Sequence, residues 1–141
     1  MNNENSIKLF EDKSVRTIWN DEQEKWYFSV VDIIAILTNI LTQTWSGYSV
    51  KEYKNLKGLK KENLRDNMTN MELVLNMLAE TSSTEISKGT NPIGFEESKN
   101  TVIQGGTIAK IAKEQIEKAS GKQIVSSKNA KELINEKLSN Y

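Results

Sequence analysis

The stretch MTNMELVLNMLAE, residues 68–80, decides the helical reading of this chain. Thr69 and Glu72 stand three apart, the order of a capping box in which hydroxyl and carboxylate each satisfy an orphan backbone N–H. Met71, Val74, Leu75 and Leu78 follow at helical spacing, and Leu73 and Met77 widen the apolar face. The spacing predicts a helix from Thr69 toward Ile86. Asn91-Pro92-Ile93-Gly94, with the only proline of the chain, then breaks it.

Downstream, Phe95, Val102 and Ile103 predict a short helix over 95–103 that Gly105-Gly106 ends. Thr107 opens another, with Ile108, Ile111, Ala112, Ile116 and Ala119 in one stripe. Gly121 sits where a left-handed C-terminal cap belongs. Gln123-Ile124-Val125 reads as a short extended piece. Ser126 or Ser127 starts a last helix with Ala130, Leu133, Ile134 and Leu138 inward. The stripes at 71–78 and 108–119 have two readings, packing between antiparallel helices or a groove or dimer seam.

Upstream, Ser49 and Glu52 repeat the capping pattern and open a short helix to Leu56, which Gly58 stops. Residues 59–66 read as a turn or a short helical piece, and 42–48 as a linker. At the N-terminus Ile7, Leu9, Val15, Thr17 and Trp19 alternate with polar residues at the strand period. A polar turn over 20–25 and the aromatic Trp26-Tyr27-Phe28 predict a hairpin of 15–19 with 25–28. Ser29, with Asp32 three residues on, predicts the start of a helix running to Leu41. That helix is apolar on nearly every side, the pattern of a buried helix. The expected fold is α+β: a β-hairpin plus helix over 1–41, joined to a mostly α-helical part over 42–141.

Composition narrows the chemistry. The 141 residues hold 19 Lys+Arg against 19 Asp+Glu, with no histidine and no cysteine. Disulfides, Cys/His zinc sites, thiol chemistry and a Ser-His-Asp triad are excluded. No catalytic residue, metal site or cofactor is expected, and an enzyme is the least expected class. Hydrophobic residues at 37% predict a thin core with helices at the surface. The polar start has no basic n-region or apolar h-region, and no apolar run reaches the ~20 residues of a membrane span. A cytoplasmic protein without membrane attachment is expected.

Charge is uneven along the chain. Residues 1–47 hold four basic and seven acidic side chains, 48–90 seven and six, and 91–141 eight and six. Any polyanion contact belongs in the later two-thirds. The candidate is Tyr48 to Arg65, with Lys51, Lys54, Lys57, Lys60, Lys61 and Arg65 against Glu52, Glu62 and the adjoining Asp66. Trp45, Tyr48 and Tyr53 lie among or beside them. Cations track a phosphate backbone and aromatics stack on unpaired bases, whereas the plainer reading is a solvated lysine face beside core aromatics. Asp21, Glu22 and Glu24 read as a solvated turn rather than a carboxylate metal site. Gln104-Gly105-Gly106-Thr107 precedes an expected helix start where a phosphate could sit, but lacks the spacing of a P-loop and reads better as a glycine stop.

Several segments resemble a known family. Ile7-Lys8-Leu9-Phe10, Trp19-Asn20-Asp21-Glu22 and Lys25-Trp26-Tyr27-Phe28-Ser29-Val30-Val31-Asp32 resemble the start of a Bro-N domain, found in phage antirepressors and the DNA-damage-inducible protein D family. Glu52-Tyr53-Lys54, the run Lys57 to Asp66, Met68-Thr69-Asn70, Leu78-Ala79-Glu80, Thr84-Glu85-Ile86 and Gly94-Phe95-Glu96-Glu97 are similar to the C-terminal part of protein D, as are Gly105-Gly106, Gly121-Lys122, Val125-Ser126 and Asn129-Ala130. Family members carry a long middle region that this chain lacks, with the join near Ala35–Leu41. The resemblance implies a non-enzymatic bacterial accessory factor of the DNA-damage (SOS) response. It would bind single-stranded or recombinase-bound DNA through Lys51, Lys54, Lys57, Lys60, Lys61 and Arg65. The alternatives are an antirepressor-like protein-interaction module, or an inactive remnant. A protein partner is expected. So is a homo-oligomer, because a hairpin and one apolar helix leave open strand edges and exposed apolar surface.

Overall fold

The computed structural model describes residues 3–10, 13–28 and 30–139, and side-chain surroundings for 15–24 and 32–139. The chain is mostly helical with β structure at its start, α+β in broad terms. It divides into two compact units, residues 1–39 and 40–141.

The first unit holds β1 (Asn3–Phe10), β2 (Lys13–Asn20) and β3 (Lys25–Phe28), antiparallel in the order β1-β2-β3. Trp19 stands opposite Trp26. The cap expected of Ser29 lies outside the described residues. Asp32 receives the Arg16 backbone N–H at 3.0 Å and its guanidinium at 3.0 and 3.1 Å. Helix α1 (Val30–Ser46) follows. Among its described residues Ile36 is buried but Ile34 is 56% exposed, so the expectation of an all-round buried helix fails.

The expected linker over 42–48 is also corrected. Residues 42–46 are the last turn of α1, and Thr42, Trp45 and Ser46 are buried. The polar composition misleads because Thr44 and Ser46 donate their hydroxyls back to the carbonyls of Ile40 and Thr42, four residues earlier. Gly47, at φ +84°, ends the helix.

In the second unit α2 (Val50–Leu56) starts where Ser49 accepts the Glu52 N–H. A single 3-10 turn over Arg65–Asn67 leads to α3 (Asn70–Thr90), whose Thr69–Glu72 capping box has both halves formed. Asn91, left-handed at φ 50°, caps its end. Helix α4 (Gly94–Ser120) then runs unbroken through Gly105-Gly106, so the expected stop and the separate helix over 95–103 do not exist. A Cβ on Gly105 would lie 2.7 Å from the Ser83 nitrogen and 2.8 Å from the Ala79 oxygen, and one on Gly106 2.8 Å from Thr44 Cβ. The two glycines let α4 approach α3 on one side and α1 on the next. Gly121 closes α4 in the left-handed conformation. Helix α5 (Ala130–Ser139) begins later than Ser126 or Ser127, because Asn129 and Glu132 cap it reciprocally. Ile134 and Leu138, expected inward, are 58% and 64% exposed.

The core joins Leu41 and Trp45 of α1, Tyr53 of α2, Leu75 and Ala79 of α3 and Ala109 of α4. No helix among the described residues is long and apolar enough to cross a membrane.

Candidate functional site

The six cations of α2 and of the segment joining it to α3 separate into two groups. Lys51, Lys60 and Lys61 are exposed and Lys54 is half-buried. None of these four makes a salt bridge among the described residues. Glu62 lies among them and accepts the Lys60 backbone N–H at 2.7 Å. Its carboxyl is held below the usual carboxylate range, first by that bond, then by its own backbone N–H, with the charges of Lys60 and Lys54 assisting. The cationic patch therefore carries its own counter-charge.

Lys57 and Arg65 are both ion-paired, Arg65 at the surface and Lys57 in the interior, so the expectation that all six face outward is corrected for Lys57. Lys57 is buried, its ammonium 2.8 Å from Glu72 Oε1 and donating to the Lys128 carbonyl at 2.7 Å. It follows Leu56 at the end of a two-turn helix, where the chain turns inward at Gly58. Arg65 donates to both oxygens of Glu80 at 2.9 and 3.1 Å. Glu80 in turn accepts from Asn76, and Asn76 accepts the indole N–H of Trp45 at 3.1 Å. Arg65 is thus the outer end of a polar line that begins at a fully buried tryptophan. Trp45 and Tyr53 are both buried and cannot stack on a base, which leaves Tyr48, 36% exposed, as the one expected aromatic at the surface.

Beneath the lysines lies a closed charge cluster. Glu72 receives the Tyr53 hydroxyl, the Lys57 ammonium and the Thr69 N–H. The Lys57 nitrogen stands 5.6 Å from the centre of the Tyr53 ring. Desolvation pushes the Glu72 carboxyl up to about 7, against hydrogen bonds from the Thr69 and Ser126 backbone. Desolvation likewise pushes Lys57 down to about 8, against the attraction of Glu132. Among the described residues no buried side-chain polar atom lacks a partner. The capping-box signal placed Glu72 on the first turn of α3, but nothing in the sequence announced its burial.

A second surface lies on the outer side of α3 and α4. Gly106 of α4 and Asn76 of α3 both meet α1, through Thr44 and Trp45. At about 100° per residue, Ile108 and Ile111 project from the side of α4 away from Gly106. Met71, Val74 and Leu78 project from the side of α3 away from Asn76. These five share the face opposite α1. Val74, Ile108 and Ile111 are 53%, 43% and 54% exposed, so the parts of both stripes that hold them are not covered by this chain. Gln104 and Gln115 continue the row on α4 and Ser82 on α3, and exposed charges, Glu85 on α3 and Lys118 on α4, stand further along it.

The other candidates carry no chemistry. Asp21, Glu22 and Glu24 lie exposed in the β2–β3 turn, and no group of three acidic side chains among the described residues is placed to hold a metal. Gln104–Thr107 lies inside α4, where backbone N–H groups are already spent on the helix. Compared with protein-family models, with curated proteins and with solved structures, the chain matches none.

Proposed function

We propose that this protein acts by binding and not by catalysis, and that its helical unit docks an apolar helix of another protein on the outer face of α3 and α4. The observation that carries this reading is the exposure of Val74, Ile108 and Ile111, whose helical positions put them on one side of the α3–α4 pair. Two antiparallel helices form a natural groove for a third, and an apolar groove selects an apolar partner surface. The resemblance to antirepressors and to the DNA-damage-inducible protein D family suggests a repressor or a recombination protein as that partner. The test is capture from lysate of damaged cells at high salt, comparing the native chain with Ile108→Ser/Ile111→Ser. A partner held equally by both would end this reading.

The second reading is nucleic-acid contact through Lys51, Lys54, Lys60 and Lys61, favoured by their freedom from salt bridges. It predicts single-stranded DNA binding that weakens steeply with salt and is lost when all four become Gln. Binding indifferent to salt removes it.

A further inference from the structure

Helix α5 is attached differently from the other helices of its unit. None of its residues is buried, and its outer apolar side chains, Ile134 and Leu138, stand in solvent. A cleft of about 330 Å³ separates it from the start of α3, lined by Met68, Thr69 and Asn70 on one side and Leu133, Glu136 and Lys137 on the other. Its hold on the core is instead concentrated at its N-terminal end. There the Lys57 ammonium donates to the Lys128 carbonyl at 2.7 Å, Asn129 Nδ2 donates to the Lys57 carbonyl at 3.2 Å, and the Ala130 N–H donates to Asn67 Oδ1 at 2.9 Å. Lys57 is itself pinned by Glu72 and lies over Tyr53.

We infer that α5 is a releasable helix, clasped to the helical unit by Lys57, Asn67 and Asn129 and able to leave while α1 to α4 remain folded. Release gives up few apolar contacts, because few are made. It also returns water to two charges that burial penalises, which lowers the cost of opening. A ten-residue helix is marginal alone, so the freed segment unwinds. Leu133, Ile134 and Leu138 are then presented on a mobile segment, and the cleft beside Met68 lies open. This is independent of which partner the outer face of α3 and α4 takes.

The experiment is amide hydrogen exchange on the full chain, native and substituted. In the native protein, amides over 134–139 should exchange at least about tenfold faster than those over 75–83, as a segment opening below the global free energy does. Asn67→Ala removes the acceptor for Ala130. Asn129→Asp removes the donor to Lys57 and keeps the oxygen that caps α5. Each should speed exchange in α5 by about fivefold to tenfold, the worth of one lost hydrogen bond, with α3 and α4 unchanged within twofold. Exchange of α5 at the same rate as α3, or a rise in all helices together, would overturn the inference. So would an α5 that ignores Asn67→Ala, since simple end fraying has no reason to respond to a residue outside the helix.

Discussion

The two faces of the α3–α4 hairpin differ in the size of the side chains they carry. The inner face buries Leu75 and Ala79 of α3 and Ala109 of α4 together with the small or polar Asn76, Ser83, Thr101, Gly105 and Gly106. The outer face leaves Val74, Ile108 and Ile111 in solvent. The difference teaches that closeness of approach, as well as hydrophobicity, selects the buried side of these helices. Ser83 and Thr101 spend their hydroxyls on their own helix, donating to Ala79 and Glu97 carbonyls, so they bury without needing a partner across the contact. Small side chains then let the backbones meet, and Val74, Ile108 and Ile111 are turned outward.

The largest test of that contrast is at the inner face. Trp45→Ala should cost about 3–5 kcal/mol in denaturant unfolding, because the indole is fully buried and its N–H is the partner of Asn76. Gly105→Ala comes next. Alanine favours a helix by about 1 kcal/mol over glycine, yet the added Cβ would lie under 3.0 Å from backbone atoms of α3, which cannot swing aside. The clash wins, and a net loss of about 2–3 kcal/mol is expected. A Gly105→Ala protein with an unchanged or raised melting temperature would mean that the helices do not meet there.

These two positions also show how far the sequence could be read. Where a residue acts on its own neighbours, the reading was direct: the Thr69–Glu72 box, the Ser49 cap and the left-handed Gly121 are local devices with local signatures. Gly105-Gly106 carries the same letters as a stop but serves an interhelical contact, and a contact with residues some twenty and sixty positions earlier leaves no local mark. The polar run 42–46 failed as a linker for a related reason, since hydroxyls that bond backward are compatible with a helix. Of the candidate cations, Lys57 was misplaced because its partners, Glu72 and Lys128, lie far along the chain. The aliphatic stripes were legible as helices but not as to which side would be covered.

A smaller effect probes the charge cluster at the start of α3. Glu72 has a folded pKa of about 7, above its ordinary 4.5. The native state therefore holds that proton more tightly than the unfolded chain does. This contribution to stability is full below about 4.5 and is lost as pH rises to about 7. Lys57, lowered to about 8 from 10.5, takes stability away below pH 8 and returns it between 8 and 10.5. The chain has no histidine, so few other groups titrate between pH 5.5 and 7. Urea unfolding should show stability falling by about 1–2 kcal/mol across that window, and Glu72→Gln should flatten the slope. A flat native profile would show that the carboxyl keeps its ordinary range despite burial.

The smallest expected effect on stability is at the outer face, and it is the sharpest test of the comparison. Ile108→Ser and Ile111→Ser replace side chains already 43% and 54% exposed, so each should change unfolding free energy by about 0.5 kcal/mol or less. At a core position the same change would cost several times more. If these isoleucines form a docking face, the double variant should keep its melting temperature within a few degrees while losing the salt-resistant partner. Stability and binding then respond to opposite faces of one hairpin: Gly105→Ala destabilises the protein, and Ile108→Ser/Ile111→Ser leaves it as stable as before and unable to bind. A large loss of stability from the isoleucine pair would place them in a covered interior and remove the contrast between the two faces. Unchanged stability with unchanged binding would leave the fold as described and move the partner's site elsewhere, with the four free lysines beside α2 next in line.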